Sequence, residues 1–422
     1  MAETVRVRER DENGRNFDNQ GKRRLWVVTE LYYPEETSTG YYLTKIAEGL
    51  TGDFEVKALC GQPNYSARGR KSPKKEIHKN VEIFRAWGTT LDKNVIVFRL
   101  LNMLTLSFGV FWKALLNFRK ADRILVVTTP PSLPFICAAA SLLRGAKYTL
   151  LIHDNYPEIL IAVNKARENS LFVRILNALN RRLYKYADKI IVVGRDMLEL
   201  VGEKTRGSNV PIEYIPNWAE LEQVEPSDRQ SNELLRELGI SDKFVFLYAG
   251  NMGHPNDLES IIACAERLKD DEDFYFIFLG AGVKKKWLEK IVGEKHLENV
   301  SILNPRPRSE QNIFLNACDV ALVSLVKKMY GVSMPSRTYN VLGVGKPILA
   351  LTDKNSELAR VVLEEEVGWV VPPNEPEKLL RIIYDIRNNS ELLPKMERRA
   401  RAAALQKYSL ETAVERYKAV LI

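Results

Sequence analysis

The chain alternates between short runs that are apolar throughout and longer segments in which apolar residues recur every three or four positions. In the first half the runs fall at 24–31 (R-L-W-V-V-T-E-L), 123–128, 147–152 and 189–193. In the second half they fall at 243–249 (K-F-V-F-L-Y-A), 274–279 (F-Y-F-I-F-L), 319–325 and 347–351. Strands with one wet face alternate in polarity. Uninterrupted apolar strands instead predict a parallel sheet covered by helices on both faces. Their alternation with helical segments predicts an α/β chain of two doubly wound domains. Length agrees, since 422 residues exceed what one core holds.

The stretch Y-I-P-N-W at 214–218, followed by polar, acidic residues at 220–231, is the expected linker. Helix is expected from about Glu375 onward, with Ser409 as N-cap of a last helix reaching Leu421. The expected parts are a disordered arm (1–22), an N-terminal domain (23–215), a C-terminal domain (216–405) and a C-terminal helix (406–422) packing back towards the N-terminal domain. Two apolar windows invite a membrane reading. Residues 124–143 are uncharged over twenty positions, but Pro130, Pro131 and Pro134 cut them into a strand, a turn and a buried helix. Residues 100–112, bounded by Arg99 and Lys113, are too short an uncharged run to span.

Charge changes the picture. Residues 1–215 carry 34 Lys+Arg against 23 Asp+Glu, a net +11, whereas the remainder carries 28 against 31, a net −3. A basic first half points to an anionic partner there, such as a membrane surface, a phosphorylated lipid or a nucleic acid. Cys60, Cys137, Cys264 and Cys318 are widely spaced with no C-x-x-C pair, which predicts buried thiols in a reducing cytoplasm rather than disulfides or a zinc site. Residues 1–21 are polar and contain no apolar core of a secretory signal.

Two such domains in tandem put a cleft between their strand carboxyl ends, so chemistry is expected just after strands. The stretch 330–347 (Y-G-V-S-M-P-S-R-T-Y-N-V-L-G-V-G-K-P) runs from a loop of Gly331, Ser333, Pro335 and Ser336 into a short helix bearing Arg337 and Asn340. Unpaired amides at a helix start and a permanently charged guanidinium suit a phosphate, although the same stretch also reads as an ordinary αβ connection with an exposed arginine. After the first strand, the 32–40 loop ends at Gly40, which lets an anion approach the backbone; the alternative is a flexible turn. The sequence H-D-N-Y-P-E at 153–158 puts His153, Asp154 and Glu158 at a strand end, where they are candidates for acid–base work. His78, His254 and His296 sit in loop or surface patterns. Gly250-Asn251-Met252-Gly253 and Gly280-Ala281-Gly282 also follow strands, but neither completes a dinucleotide fingerprint. The acidic residues at 271–273 lie between a helix and a strand and read as a charged turn. No cluster has metal-ligand spacing, so a metal-independent site without a cofactor is expected.

Taken in order, these pieces resemble the GT-B glycosyltransferases of family 4, closest to the branch that builds lipid-linked or surface polysaccharides. Y-Y-P-E-E-T-S-T-G at 32–40, Q-P-N-Y-S-A-R-G at 62–69, T-P-P at 129–131 and H-D-N-Y-P-E carry the likeness in the first half. I-P-N-W-A-E at 215–220, Y-A-G-N-M-G at 248–253, L-G-A-G at 279–282 and P-S-R-T-Y-N-x-L-x-x-G-K-P at 335–347 carry it in the second. The resemblance implies GT-B architecture, two Rossmann-like domains facing across a cleft. It implies a retaining, metal-independent transfer of a sugar from a nucleotide-diphosphate donor in the C-terminal domain to a glycan acceptor in the N-terminal one. By position, residues 333–337 (Ser333, Pro335, Ser336 and Arg337) and Gly40 would hold the diphosphate. Gly250, Asn251 and Gly282 would line the same pocket, and Asn340 would stand where the family has a ribose-binding glutamate. The chain departs from the family at its paired glutamates, which read Val332 and Asn340. It also departs at the basic pair after the first C-domain strand, which reads Asn251 and Asp257 and leaves Arg337 as the evident cation.

The basic loop 68–75 and the amphipathic stretch 95–118, rich in Phe and Trp, predict docking on an anionic membrane, where a polyprenyl-diphosphate-linked acceptor would lie. This implies a cytoplasmic enzyme peripheral to the inner face of the cell membrane; the alternative for these segments is a core helix and a solvated loop. Competing functions are a sugar-nucleotide epimerase or hydrolase on the same fold, which needs more carboxylates and histidines in the cleft, and a non-catalytic binding protein. Nucleic acid is not an expected partner, because no aromatic-interleaved basic stripe or recognised motif is present.

Overall fold

The computed structural model describes residues 22–64, 71–92 and 95–422. Most of the arm, and Arg68, Gly69 and Arg70 of the basic loop, lie outside the described residues. Lys22, the last residue expected in the arm, is anchored instead, its ammonium donating to the Thr51 carbonyl.

Among the described residues fourteen strands form two sheets. The N-terminal strands are β1 (Arg23–Val28), β2 (Phe54–Cys60), β3 (Lys75–His78), β4 (Val81–Arg85), β5 (Arg123–Val127), β6 (Lys147–Ile152), β7 (Lys189–Val192) and β8 (Ile212–Tyr214). They are ordered β3-β4-β2-β1-β5-β6-β7-β8, all parallel except the β3–β4 hairpin. The C-terminal strands are β9 (Phe244–Ala249), β10 (Phe274–Leu279), β11 (Val300–Leu303), β12 (Val320–Ser324), β13 (Ile348–Leu351) and β14 (Gly368–Val371). They form a parallel sheet ordered β11-β10-β9-β12-β13-β14. All eight apolar runs are strands. The six strands that sequence did not single out are mostly edge strands, short and polar enough on one face to break the apolar signal.

The period-2 geometry of a strand explains why the central runs are apolar throughout. In β9, Phe246 and Tyr248 pack into a core on one face of the C-terminal sheet. Val245 and Leu247 face the opposite side and join the core that continues into the N-terminal domain. The window 124–143 is strand β5, a turn and the helix Leu133–Arg144, as expected. All four cysteines are buried and unpaired.

The chain crosses between domains twice, and the crossings bond to each other, the Ala219 amide donating to the Tyr408 carbonyl (2.9 Å). The first crossing starts buried, at Ile215, Trp218, Ala219 and Glu220, and then continues into the mostly exposed polar stretch 221–231. The second feeds the helix Leu410–Leu421, N-capped by Ser409, which lies against the helix Ser38–Gly49 of the N-terminal domain. Arg23 donates to the Ile422 carbonyl (2.6 Å) and Lys418 pairs with Asp53 (2.8 Å), so the last residues complete the first domain.

The stretch 95–118 is the helix Ile96–Asn117. Leu106, Val110 and Ala114 bury one face against the domain, while Val97, Leu101, Leu104, Phe108, Trp112 and Leu116 are exposed. Among the described residues, Val97–Asn117 is the one helix long and apolar enough to cross a membrane by length and composition, and 28% of it is buried. The sequence count stopped at Arg99 and Lys113, but the helix runs through both. Lys113 folds back to donate to the Arg85 carbonyl (2.7 Å), and burial lowers its pKa.

Candidate active site between the domains

The carboxyl ends of β6 and β12 face each other across the cleft. Asp154 forms an isolated antiparallel bridge with Ser333. Beside it, the Asn155 amide donates to the Val332 carbonyl (2.8 Å) and its side-chain Nδ2 to the Gly331 carbonyl (2.7 Å). The strand end is fixed from below by Thr128, whose hydroxyl donates to the Asp154 carbonyl (3.2 Å) and accepts from the His153 amide (3.3 Å).

Burial acts on the two titratable groups in opposite directions, because it penalises whichever form is charged. It pushes the His153 imidazole down to about 4, so the ring is neutral near pH 7, and its Nε2 is buried without a partner. Burial pushes the Asp154 carboxyl up to about 6, against the Ser333 side chain, which bonds it and lowers it. Asp154 is therefore ionised at neutral pH but a far better base than an exposed aspartate. Glu158, the third candidate, is engaged elsewhere. It opens the helix Glu158–Ala162 and pairs with Lys204 (2.6 Å), which also donates to the Tyr156 carbonyl.

The 330–336 loop is held from both sides. The Asp196 carboxylate, buried at the start of the helix Arg195–Lys204, accepts from the Gly331 and Glu357 amides (both 3.0 Å). Gly331 has φ of +70°, and an added Cβ would lie 2.9 Å from Leu200 Cβ. Only glycine suits that combination. Pro335 and Ser336 then lead into the helix Arg337–Gly343. The first amides of this helix are partly used, Thr338 and Tyr339 donating back to the Pro335 and Ser336 carbonyls. Anion binding here therefore leans on side-chain cations more than on the helix end.

Arg337 reaches back to the end of β9. Its guanidinium lies over the Tyr248 ring (4.6 Å) and donates to Asn256 Oδ1 (2.9 Å), and an added Cβ on Gly250 would come within 2.8 Å of it. The Asn251 carbonyl accepts from Tyr248 Oη (2.7 Å) and Asn256 Nδ2 (2.9 Å). The two glycine loops nest. Met252 N donates to the Ala281 carbonyl (2.7 Å), and a Cβ on Gly282 would lie 2.7 Å from Asn251 Oδ1. Gly250, Asn251, Gly282 and Arg337 thus form one cradle. A second cation, which the sequence reading missed, joins it: Lys284 donates to the Asn256 carbonyl (2.7 Å) and pairs with Glu259 (2.8 Å). Its signal was its place just after the G-A-G loop.

Two predicted donor residues are placed differently. Asn340 is not free to face a ribose. Its Nδ2 donates to Glu220 Oε1 (2.7 Å) and its Oδ1 accepts from the Glu220 amide (2.9 Å), because the interdomain crossing folds back over the helix. Glu220 also binds Arg308, whose guanidinium stacks on Tyr41 (4.0 Å) and donates to the Glu36 carbonyl (2.9 Å). Arg308 follows the short strand β11, which explains why a search after apolar runs passed it over. Gly40 lies in the first turn of Ser38–Gly49, its amide taken by the N-cap Thr37, and an added Cβ would lie 2.7 Å from the Glu35 carbonyl. Close turn packing accounts for that glycine. The acidic turn is a turn: Asp271 accepts from the Asp273 amide and Asp273 pairs with Arg387. Among the described residues no group of three or more His, Cys, Asp or Glu could hold a metal ion.

Comparison with known proteins gives this cleft a family. Residues 230–403 match the model of glycosyl transferases group 1, and residues 38–218 match that of the glycosyl transferase 4-like domain. The probable glycosyltransferase WbjE of Pseudomonas aeruginosa is 31% identical over 370 residues, 86% of this chain and 89% of that protein. The chain is a group 1 glycosyltransferase. A more distant relative is the putative colanic acid biosynthesis glycosyl transferase WcaI of Escherichia coli K12, 25% identical over 92% of this chain and 96% of that one. The fold matches the crystal structure of Anabaena HepE in complex with UDP-glucose, with a TM-score of 0.68 at 17% identity, covering 94% of this chain and 99% of that one. The two-sheet architecture of this glycosyltransferase is the GT-B fold.

Proposed function

We propose that this glycosyltransferase takes a sugar from a nucleotide-diphosphate donor and transfers it, with retention of configuration, to a lipid-linked glycan acceptor at the cytoplasmic face of an anionic membrane. The observation that carries the reading is the pairing of two unlike half-sites: a cationic cradle at the end of β9 and a basic carboxylate, Asp154, bridged to Ser333 across from it. HepE, solved in complex with UDP-glucose, and WcaI, a putative glycosyl transferase of colanic acid biosynthesis, support the donor class and the glycoconjugate setting.

In this scheme the bond from the sugar C1 to the diphosphate oxygen breaks, and a bond from C1 to the acceptor oxygen forms on the same face of the sugar, which keeps the configuration. Negative charge grows on the departing diphosphate, where Arg337 and Lys284 stabilise it; such preorganised charge contributes about 3–4 kcal/mol per group in comparable sites. The acceptor hydroxyl loses its proton to Asp154, whose raised pKa suits that role. His153 stays neutral and orients a sugar hydroxyl through Nε2. The exposed face of Ile96–Asn117 and the basic excess of the first half favour the membrane setting.

The test is a melting-shift screen of UDP, GDP, ADP and dTDP sugars, followed by transfer from the stabilising donor to a polyprenyl-diphosphate-linked glycan. Stabilisation by one donor class and a product of unchanged anomeric configuration are expected. Release of free sugar or an epimerised nucleotide sugar, with no transfer to any glycan, would replace this reading with a hydrolase or an epimerase.

A further inference from the structure

Three helices cover one face of the N-terminal sheet in succession: Ile96–Asn117, Leu133–Arg144 and Leu171–Lys185. Each comes between a strand end and the start of the next parallel strand, so all three begin at the carboxyl edge of the sheet, where the cleft lies. The third of these is unusual on its outer side. Leu171, Phe172, Ile175 and Leu179 are 72%, 55%, 52% and 47% exposed. At 100° per residue these four fall within one arc of the helix. Arg174, Arg181 and Lys185 are exposed along the neighbouring arc, Arg182 is exposed at the carboxyl-terminal end of the apolar arc itself, and the fifteen-residue helix contains no acidic residue. Leu142 and Leu143 of the middle helix are exposed as well.

The buried side of the same helix reaches the catalytic end of the cleft. Leu176, Asn180, Leu183 and Tyr184 line a cavity of about 20 Å3 together with Asp154 and Pro131. That is room for one water-sized group, such as a hydroxyl.

We propose that Leu171–Lys185 is a second membrane-contacting helix of this enzyme, inserting its Leu171/Phe172/Ile175/Leu179 stripe among the acyl chains of an anionic bilayer while Arg174, Arg181, Arg182 and Lys185 bind lipid phosphates. The proposal rests on the membrane reading given above and adds the element that sets the orientation. One amphipathic helix leaves the domain free to roll about that helix axis. A second, roughly parallel helix on the same face removes that freedom. It also brings the wall of the Asp154 cavity to the lipid surface, where the hydroxyl of a membrane-held acceptor lies. The charge pattern selects a bilayer over a protein partner. An apolar stripe flanked and ended by exposed cations, with no acidic residue on the helix, fits an interface of acyl chains and phosphates. Leaving four such side chains in water serves neither folding nor solubility.

The experiment is co-sedimentation of the full chain with vesicles of equal parts phosphatidylglycerol and phosphatidylcholine, and with phosphatidylcholine alone. Wild type should pellet with the mixed vesicles and not with the neutral ones. The variant carrying Leu171→Gln, Phe172→Gln, Ile175→Gln and Leu179→Gln should lose about tenfold or more in vesicle partitioning, because each buried methylene contributes to insertion. Replacing Arg174, Arg181, Arg182 and Lys185 with Gln should weaken binding comparably and flatten its salt dependence. Both variants alter exposed positions, and an unchanged melting shift with the nucleotide donor verifies their fold. Wild type that pellets while both helix variants pellet equally well overturns this proposal and leaves the membrane reading intact. Wild type that does not pellet with either vesicle removes both. A concentration-dependent dimer of wild type, abolished by the Gln stripe with no change in vesicle binding, would assign the stripe to self-association instead.

Discussion

Asp154 and Ser333, 179 positions apart in the chain, are joined as an antiparallel β-bridge, and the Ser333 side chain bonds the Asp154 carboxylate. One contact thus ties the end of β6 to the loop that leads to Arg337.

The pH dependence of turnover follows from the burial of Asp154. With its carboxyl raised to about 6, Asp154 is protonated in acid and ionised above. A base must be ionised, so kcat should fall as pH drops through about 6. Asp154→Asn should lower kcat by about 100-fold or more and abolish the acid limb. A pH profile between weakly acidic and weakly basic buffers checks both. A variant that is slow but keeps the limb would mean that Asp154 only positions the loop.

Arg337 should govern donor affinity. Charge-assisted hydrogen bonds contribute about 1.5–3 kcal/mol each, so Arg337→Ala should weaken nucleoside-diphosphate binding by about 10- to 100-fold. Arg337→Lys should recover little, because an ammonium cannot both stack on Tyr248 and bond Asn256 as the planar fork does. Titration calorimetry with the diphosphate reads the loss directly.

Asp196 should act as the clasp of the 330–336 loop. In Asp196→Ala the Gly331 and Glu357 amides lose their acceptor. Stranding a buried donor costs about 1–3 kcal/mol. The melting temperature should fall by several degrees and KM for the donor should rise more than kcat falls. Scanning calorimetry and steady-state kinetics together separate this from a change in chemistry.

Glu220, itself buried, pairs with the half-buried Arg308 between the crossing segment and the C-terminal domain. Removing one member leaves the other charge uncompensated and should cost about 3–5 kcal/mol. Arg308→Met alone should therefore destabilise strongly, and Arg308→Met with Glu220→Gln should recover part of the loss. A double-mutant cycle by urea denaturation measures the coupling.

Chelation should leave the rate unchanged. The proposed leaving-group stabilisers are side chains of the chain itself, Arg337 and Lys284, so excess EDTA is expected to have no effect on initial velocity with purified enzyme. Loss of activity that Mg2+ or Mn2+ restores would assign part of that stabilisation to an ion.

The sequence alone determined the two parallel sheets, because strands such as 244–249 and 274–279 bury both faces and are apolar at every position regardless of their neighbours. It also determined where the chemistry could sit, since loops at strand carboxyl ends are fixed by the order of elements. His153, Asp154, Gly250, Gly282 and Arg337 were legible for that reason. What those side chains do was decided by contacts between residues far apart in the chain. Asn340 occupies the motif position for a ribose ligand, yet Glu220 takes both its amide atoms, and nothing in the local sequence encodes that return of the crossing segment. Lys284 and Arg308 became cleft cations only once β10 and β11 were laid beside β9. The bond from Ser333 to the Asp154 carboxylate needs the second domain as well. Exposure decided the rest: the apolar residues of Leu171–Lys185 look like any core face in sequence, and only the packed sheet leaves them facing outward. Local patterns fix secondary structure through short-range geometry, whereas burial and charge pairing depend on which distant surfaces meet.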